Sequence, residues 1–255
     1  MLKIFFSPEN TDTACGMFTL PHIISLAMCL ALVGACVYFS KSLSDGTIKR
    51  ITFILAITFT VMEIIKIIYK LCLGYTEYLD YYLPISFCSL FIPSLWLCAC
   101  CKGAPYRIGA SFIRFGCVVG GLAFLIVPAT SLMMHPIYHY LSIHSMLFHS
   151  AMVYMGVVFI LRREVPVTKS SFLTYCSFVL ATCVVAISLN LITGSNLMLL
   201  SFPVNIPIAL LNSIASKIPA LYTAGASVAY VFIPFGIMML VELISKKITK
   251  KASVS

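Results

Sequence analysis

Charge is what this sequence has least of: only 10% of its 255 residues are charged, and just eight are acidic. With 61% hydrophobic residues, a soluble domain of this length would have too little interior to hide its apolar surface. Alternation of polar and apolar positions over strand-length segments is also missing. That excludes a transmembrane barrel, whose strands run to about ten alternating residues. No two Cys-x-x-Cys pairs stand at zinc-site spacing, and the eleven cysteines, scattered through apolar runs, outline no disulfide framework. Most read as small buried hydrophobes. Residues 1–16 lack a basic stretch followed by an apolar core, so no cleavable signal peptide is expected. There is no soluble domain, long linker, low-complexity tract or internal repeat.

What the chain does have is a series of all-round apolar runs of about twenty residues, the length that crosses a bilayer as α-helix. Lipid cannot hydrogen-bond backbone, so these runs must satisfy their own amides and carbonyls. The expectation is an all-α, polytopic membrane protein, a single domain over 1–255 with seven transmembrane helices. The spans fall at about 17–40, 51–73, 83–101, 108–128, 137–161, 172–194 and 222–245. The breaks are Asp45-Gly46, the polar aromatic stretch 74–82, Gly103 with Pro105, the prolines Pro128, Pro136 and Pro166, and Gly194. Pro203, Pro207 and Pro219 argue against one spanning helix over 195–221, where 206–214 reads as a short re-entrant or interfacial piece.

The formal charge of +9 carries topology, not a nucleic-acid signal. Alternate loops hold the basic residues: Lys41, Lys49 and Arg50; Lys102 and Arg107; Arg162, Arg163 and Lys169; and Lys246, Lys247, Lys250 and Lys251 near the C-terminus. The intervening set is nearly bare, with Lys3, Lys70 and Lys217. Seven spans and the positive-inside rule produce this pattern with the N-terminus outside and the C-terminus inside. The protein is expected to be multi-pass in the cell membrane, with lipids as its partners, no nucleic acid and no cofactor. Oligomeric state leaves no trace in the sequence.

Ionisable residues at membrane depth are costly and face a bundle interior or a wet cavity. Glu63 and Lys66, three apart, share one helix face. They read either as a self-neutralising ion pair or as a site where Glu63 orients a histidine or a polar substrate group. Arg114 is expected to snorkel to the inner interface. The outer half of the bundle gathers Cys88, His144, His149, Asn190, Asn196 and Glu63 from separate spans. His144 and His149 lie about 140° apart around their helix, so only one can serve a given site. His135 and His139 lie closer to water. No third ligand joins them, so no metal site is expected. Cys98, Cys100 and Cys101, at the cytoplasmic end of the third span, read either as acceptors of lipid or as interface filler, with filler preferred.

Three segments carry a resemblance. Leu83-Pro84-Ile85-Ser86-Phe87-Cys88 resembles the Leu-Pro-x-His-x-Cys segment of the YwaF-like integral membrane proteins. Asn190 to Met198, with Pro203 after it, is similar to that family's Asn-x-x-x-Gly-x-Asn-Tyr-Met stretch. Gly120-Gly121-Leu122, with Pro128 and Thr130, precedes the helix that holds His149. The likeness covers about residues 55–245 and departs at Ser86, where the family has histidine, and at Leu197, where it has tyrosine. It implies a seven-helix fold and, from the family's animal arm, acyl transfer between phospholipids through a cysteine thioester. Cys88 is then the nucleophile, His149 the first candidate base and His144 the second. Asn190 or Asn196 would face the oxyanion, and Glu63 would hold a histidine tautomer. A small-molecule transporter, suggested by Glu63, Lys66 and the broken 195–221 stretch, and a noncatalytic scaffold are the alternatives.

Overall fold

A computed structural model describes residues 5–8, 13–206 and 208–252, with side chains described as far as residue 247. Lys3 and Pro207 lie outside these residues, as do the side chains of Lys250 and Lys251. Every regular element among them is helical. The helices are α1 (Leu20–Ser40), α2 (Asp45–Cys72), α3 (Phe91–Cys100), α4 (Gly103–Phe115), α5 (Cys117–Ile126), α6 (Tyr140–Leu161), α7 (Lys169–Thr193), α8 (Ala209–Lys217) and α9 (Pro219–Ala252).

Local chemistry sets the boundaries, and it moves some of the expected ones. Asp45-Gly46 does not separate helices. Ser44 caps α2 by accepting from the Thr47 amide at 3.2 Å, and Asp45 occupies the first turn, where the helix dipole favours a carboxylate. Thr168 and Ser171 form a reciprocal capping box that starts α7. Gly194 ends α7 in the left-handed region at φ 70°, a conformation that costs an L side chain energy. Pro219 opens α9, where its missing amide proton costs nothing. The stretch 195–221 is broken as expected, into a 3₁₀ turn at Leu197–Leu199, the nine-residue α8 and the first turn of α9.

Among the described residues six helices are long and apolar enough to cross a membrane, α4 and α5 counting as one over Gly103–Ile126. The third expected span is the difference. Its helical part, a 3₁₀ turn running into α3, covers Cys88–Cys100, about 20 Å at helical rise. Residues 83–87 stay out of helix: Pro84 disfavours helical backbone at Leu83 before it, and the Ile85 carbonyl is taken by the Met198 amide of a distant loop.

Burial separates centre from periphery. In the spans Gly103–Ile126 and Tyr140–Leu161, 61% of the apolar window is buried, against 17–22% in the four other long spans. The α4–α5 unit and α6 are therefore the core, and the rest present apolar faces outward. Close approach rests on small residues, as in membrane helix pairs. A Cβ on Gly121 would stand 2.8 Å from the His149 carbonyl oxygen, and one on Gly156 3.0 Å from the Val118 amide nitrogen.

The two ends of the bundle differ. At one end Arg162 donates to the Leu43 carbonyl and to Asp45, and Tyr106 donates to Glu164 at 2.6 Å. This end gathers the basic loops. The other end is built of the connecting stretches 73–87, 127–139 and 194–206, and the candidate site lies there.

Candidate functional site

The segment before Cys88 is anchored from both sides. The Met198 amide donates to the Ile85 carbonyl at 3.1 Å, joining the two motif segments across more than a hundred residues of sequence. Ser86, at the position of the family histidine, accepts from the Ser89 amide at 3.1 Å and so caps the first turn after it. Phe87 stacks on Tyr230 of α9, with centroids 4.9 Å apart and planes 9° from parallel, and packs against the bare faces of Gly116 and Gly120. Cys88 is partly buried with a free thiol, and its titratable neighbours are Cys117 and Tyr230.

The 194–203 loop is held by its two asparagines. Asn190 donates Nδ2 to the Leu197 carbonyl at 3.1 Å and accepts from the Leu197 amide at 2.8 Å. Asn196 donates to the Phe202 carbonyl and accepts from the Ser201 amide. From outside, Asp80 accepts the Asn196 amide, Ser195 accepts the Leu79 amide, and Tyr230 donates to the Met198 carbonyl at 2.6 Å. With so many partners, Met198 and Leu199 sustain left-handed backbone at φ 56° and 53°.

The third segment lies between the Cys88 segment and α6. Gly120 meets Phe87, while Gly121 meets the backbone of α6 at His149 and Val153. His149 stacks on Phe124 of α5 at 3.6 Å between centroids, and its Nδ1 donates to the Ser145 carbonyl at 2.7 Å. That bond fixes the tautomer and leaves the lone pair on Nε2. His144 turns toward α2, where its Nε2 stands 3.5 Å from Glu63 and Glu63 also pairs with Lys66. The structure thus brings Glu63, Lys66 and His144 together, and brings the motif segments of Cys88, Asn190 and Asn196 together. Among the described residues no hydrogen bond or ring contact joins Cys88 to His144 or His149.

Arg114 does not reach an interface: it is 3% exposed and donates to Glu242 of α9 at 3.1 Å. A carboxylate in an otherwise apolar helix was the sequence signal for this partner. The roles of Asp80, Phe124 and Tyr230 had none. Outside the spans, His135 and His139 stack with centroids 4.0 Å apart. Burial, then the neighbouring His139 and Lys70, push the His135 imidazole down to about 3. Burial also lowers His139, which caps α6 through Nδ1 and donates Nε2 to the Ser7 carbonyl. Among the described residues no three His, Cys, Asp or Glu side chains cluster as metal ligands.

Residues 17–244 match the TMEM164 family. The chain belongs to that family. Together with the six long apolar helices, this makes it a multi-pass membrane protein. The TMEM164 match takes in all three motif segments and every candidate residue named above. Among curated proteins and among solved structures no match is found.

Proposed function

We propose that this TMEM164-family protein is a membrane-embedded acyltransferase that carries the acyl group on Cys88. One observation supports the reading most: the Met198–Ile85 bond and the Phe87–Gly120 packing tie the segment that carries Cys88, the one cysteine among the three motif segments, to both of the others. In this reading the chain crosses the bilayer seven times, with residues 83–100 completing the third crossing. The positive-inside rule then puts the Cys88 end on the extracytoplasmic side.

The chemistry is a double displacement. The Cys88 sulfur attacks a phospholipid ester carbonyl. A carbon–sulfur bond forms, the carbon–oxygen bond breaks, and the lysolipid leaves as an alcohol with the thiol's proton. An acceptor hydroxyl then attacks the thioester, the carbon–sulfur bond breaks, and a proton returns to sulfur. A thiol in apolar surroundings stays protonated, so a base must assist. His149 has the tautomer for that role, with Nδ1–H held by Ser145 and Nε2 open to a proton. Each asparagine amide gives one N–H to its own loop, at the Leu197 and Phe202 carbonyls, which orients the group, and the second N–H of Asn190 or Asn196 is the donor to the developing oxyanion. The test is acyl exchange by purified protein between a labelled diacyl phospholipid and an unlabelled lysophospholipid. The reading predicts exchange that disappears with Cys88→Ala, and exchange undiminished in that variant refutes it.

A second reading, transport, has an observation of its own. The buried Glu63–Lys66–His144 cluster is the kind of intramembrane polar group that lines a permeation path. Liposome flux that survives Cys88→Ala and vanishes with Glu63→Gln favours it.

A further inference from the structure

We infer that Arg114, Arg163 and Lys246, gathered around Glu242 at the basic end of the bundle, form a binding site for the phosphate group of an acidic phospholipid. The charges at this end do not balance. Its carboxylates are Asp45, Glu164 and Glu242, and each is engaged: Asp45 by Arg162, Glu164 by Tyr106, and Glu242 by both Arg114 and Lys246. One Glu242 oxygen lies 3.1 Å from Arg114 Nη2, and the other lies 3.6 Å from Lys246 Nζ. Arg163 lies within electrostatic reach of Arg114, and among the described residues its guanidinium has no hydrogen-bond or carboxylate partner. Three cations therefore share one carboxylate.

Arg114 supplies a second, independent sign of an anion site. The residue is 3% exposed, yet its Nε and Nη1 have no hydrogen-bond partner among the described residues. Arginine keeps its charge when buried, and idle donors on a buried cation are costly. Phosphate oxygens suit these donors, because a guanidinium binds them through short, charge-assisted hydrogen bonds. The surroundings point to lipid as the source of the phosphate. Arg163 and Lys246 are exposed and Glu242 is a quarter exposed, so the corner opens outward. Beside it α9 presents Val241, Leu243 and Ile244, and α6 ends in exposed Leu161. A phospholipid can lay its acyl chains on these apolar side chains and bring its phosphate up to the cations, as in basic pockets between membrane helices. Lys246 and Arg163 then close on the outer oxygens, and the idle Arg114 nitrogens take an inner one. A zwitterionic headgroup carries its own cation, which the cluster repels, so a net negative headgroup is preferred.

The site lies at the opposite end of the bundle from Cys88. The experiment is thermal unfolding of the purified full chain in one detergent, with added phosphatidate, phosphatidylcholine of the same acyl chains, or inorganic phosphate. Titrating the rise in Tm gives an apparent affinity, because a ligand that binds only the folded chain stabilises it by mass action. The expected result is a rise with phosphatidate alone. In the double variant Arg163→Gln with Lys246→Gln, which leaves the buried Arg114–Glu242 pair intact, the affinity for phosphatidate should fall about tenfold or more. Lys49→Gln with Arg50→Gln, the same loss of charge at another loop of this end, should retain it. Phosphatidate binding that is unchanged in the first double variant, equally weakened in the second, or matched by phosphatidylcholine overturns the inference. An equal rise with inorganic phosphate would make a soluble anion the occupant and overturn the lipid assignment.

Discussion

Gly121 offers a prediction whose sign depends on the packing. In a helix interior, glycine to alanine ordinarily stabilises by about 1 kcal/mol, through lost backbone freedom in the unfolded chain. At Gly121 the added carbon would stand 2.8 Å from the His149 carbonyl oxygen, 3.2 Å from the Val153 amide nitrogen and 2.7 Å from a Val153 methyl. Ordinary contact is about 3.5 Å or more, so α5 and α6 must part by about 0.7 Å, and two of the three obstacles are backbone that cannot swing aside. Overpacking of this kind costs about 1–3 kcal/mol. Gly121→Ala should therefore destabilise by up to about 2 kcal/mol net, a fall in Tm of up to about 8 °C for a chain of this size. Gly34 of α1 is the internal control: nothing lies within 4 Å of its added carbon, so Gly34→Ala should hold or raise the Tm. The assay is thermal unfolding of both variants in one detergent, followed by loss of the monodisperse chromatographic peak. If Gly121→Ala melts at or above Gly34→Ala, the claimed α5–α6 contact at His149 is wrong.

Three further outcomes are expected. Glu242→Gln leaves the buried Arg114 cation without its counter-charge. It should cost on the order of 2 kcal/mol because Glu242 is itself a quarter exposed, while the double change Arg114→Met with Glu242→Leu should recover most of that in the same melt. Asn190→Ala strands the Leu197 amide in a buried turn, at about 1–3 kcal/mol, and leaves the Leu197 carbonyl only the Leu200 amide. Hydrogen exchange at 195–203 should then accelerate well ahead of the helices, and unchanged protection there would remove Asn190 from its bracing role. The native state resists protonation of His135, so below its ordinary value of 6.5 the unfolded chain binds the extra proton and stability falls with pH, a loss that runs toward about 3. The ceiling for one such group is roughly 1.4 kcal/mol per pH unit. Melting temperature should drop between pH 7 and pH 5, and His135→Asn should flatten that slope.

The membrane class and most helix boundaries were readable from the chain alone, because apolar run length and caps are local. Gly194 as a helix end and the broken 195–221 stretch are of this kind. What stayed hidden was partnership. Apolar pattern marks 83–101 as one run, but residues 83–87 leave the helix because of a loop more than a hundred positions away. The same blindness let Arg114 be read as snorkelling when its partner is Glu242. It also gave no sign that each asparagine amide braces its own loop, at the Leu197 and Phe202 carbonyls. Spacing along one helix put His144 and His149 on different faces, but only the fold says that one meets Glu63 and the other Phe124.

The measurement that bears most directly on the central claim is the mass of the Cys88 peptide. Purified protein is incubated with a phospholipid of defined acyl chains, quenched in acid and digested. The account predicts a Cys88 peptide heavier by one acyl group, which reverts on addition of lysophospholipid. An unmodified Cys88 peptide from protein that is actively exchanging acyl chains would contradict it.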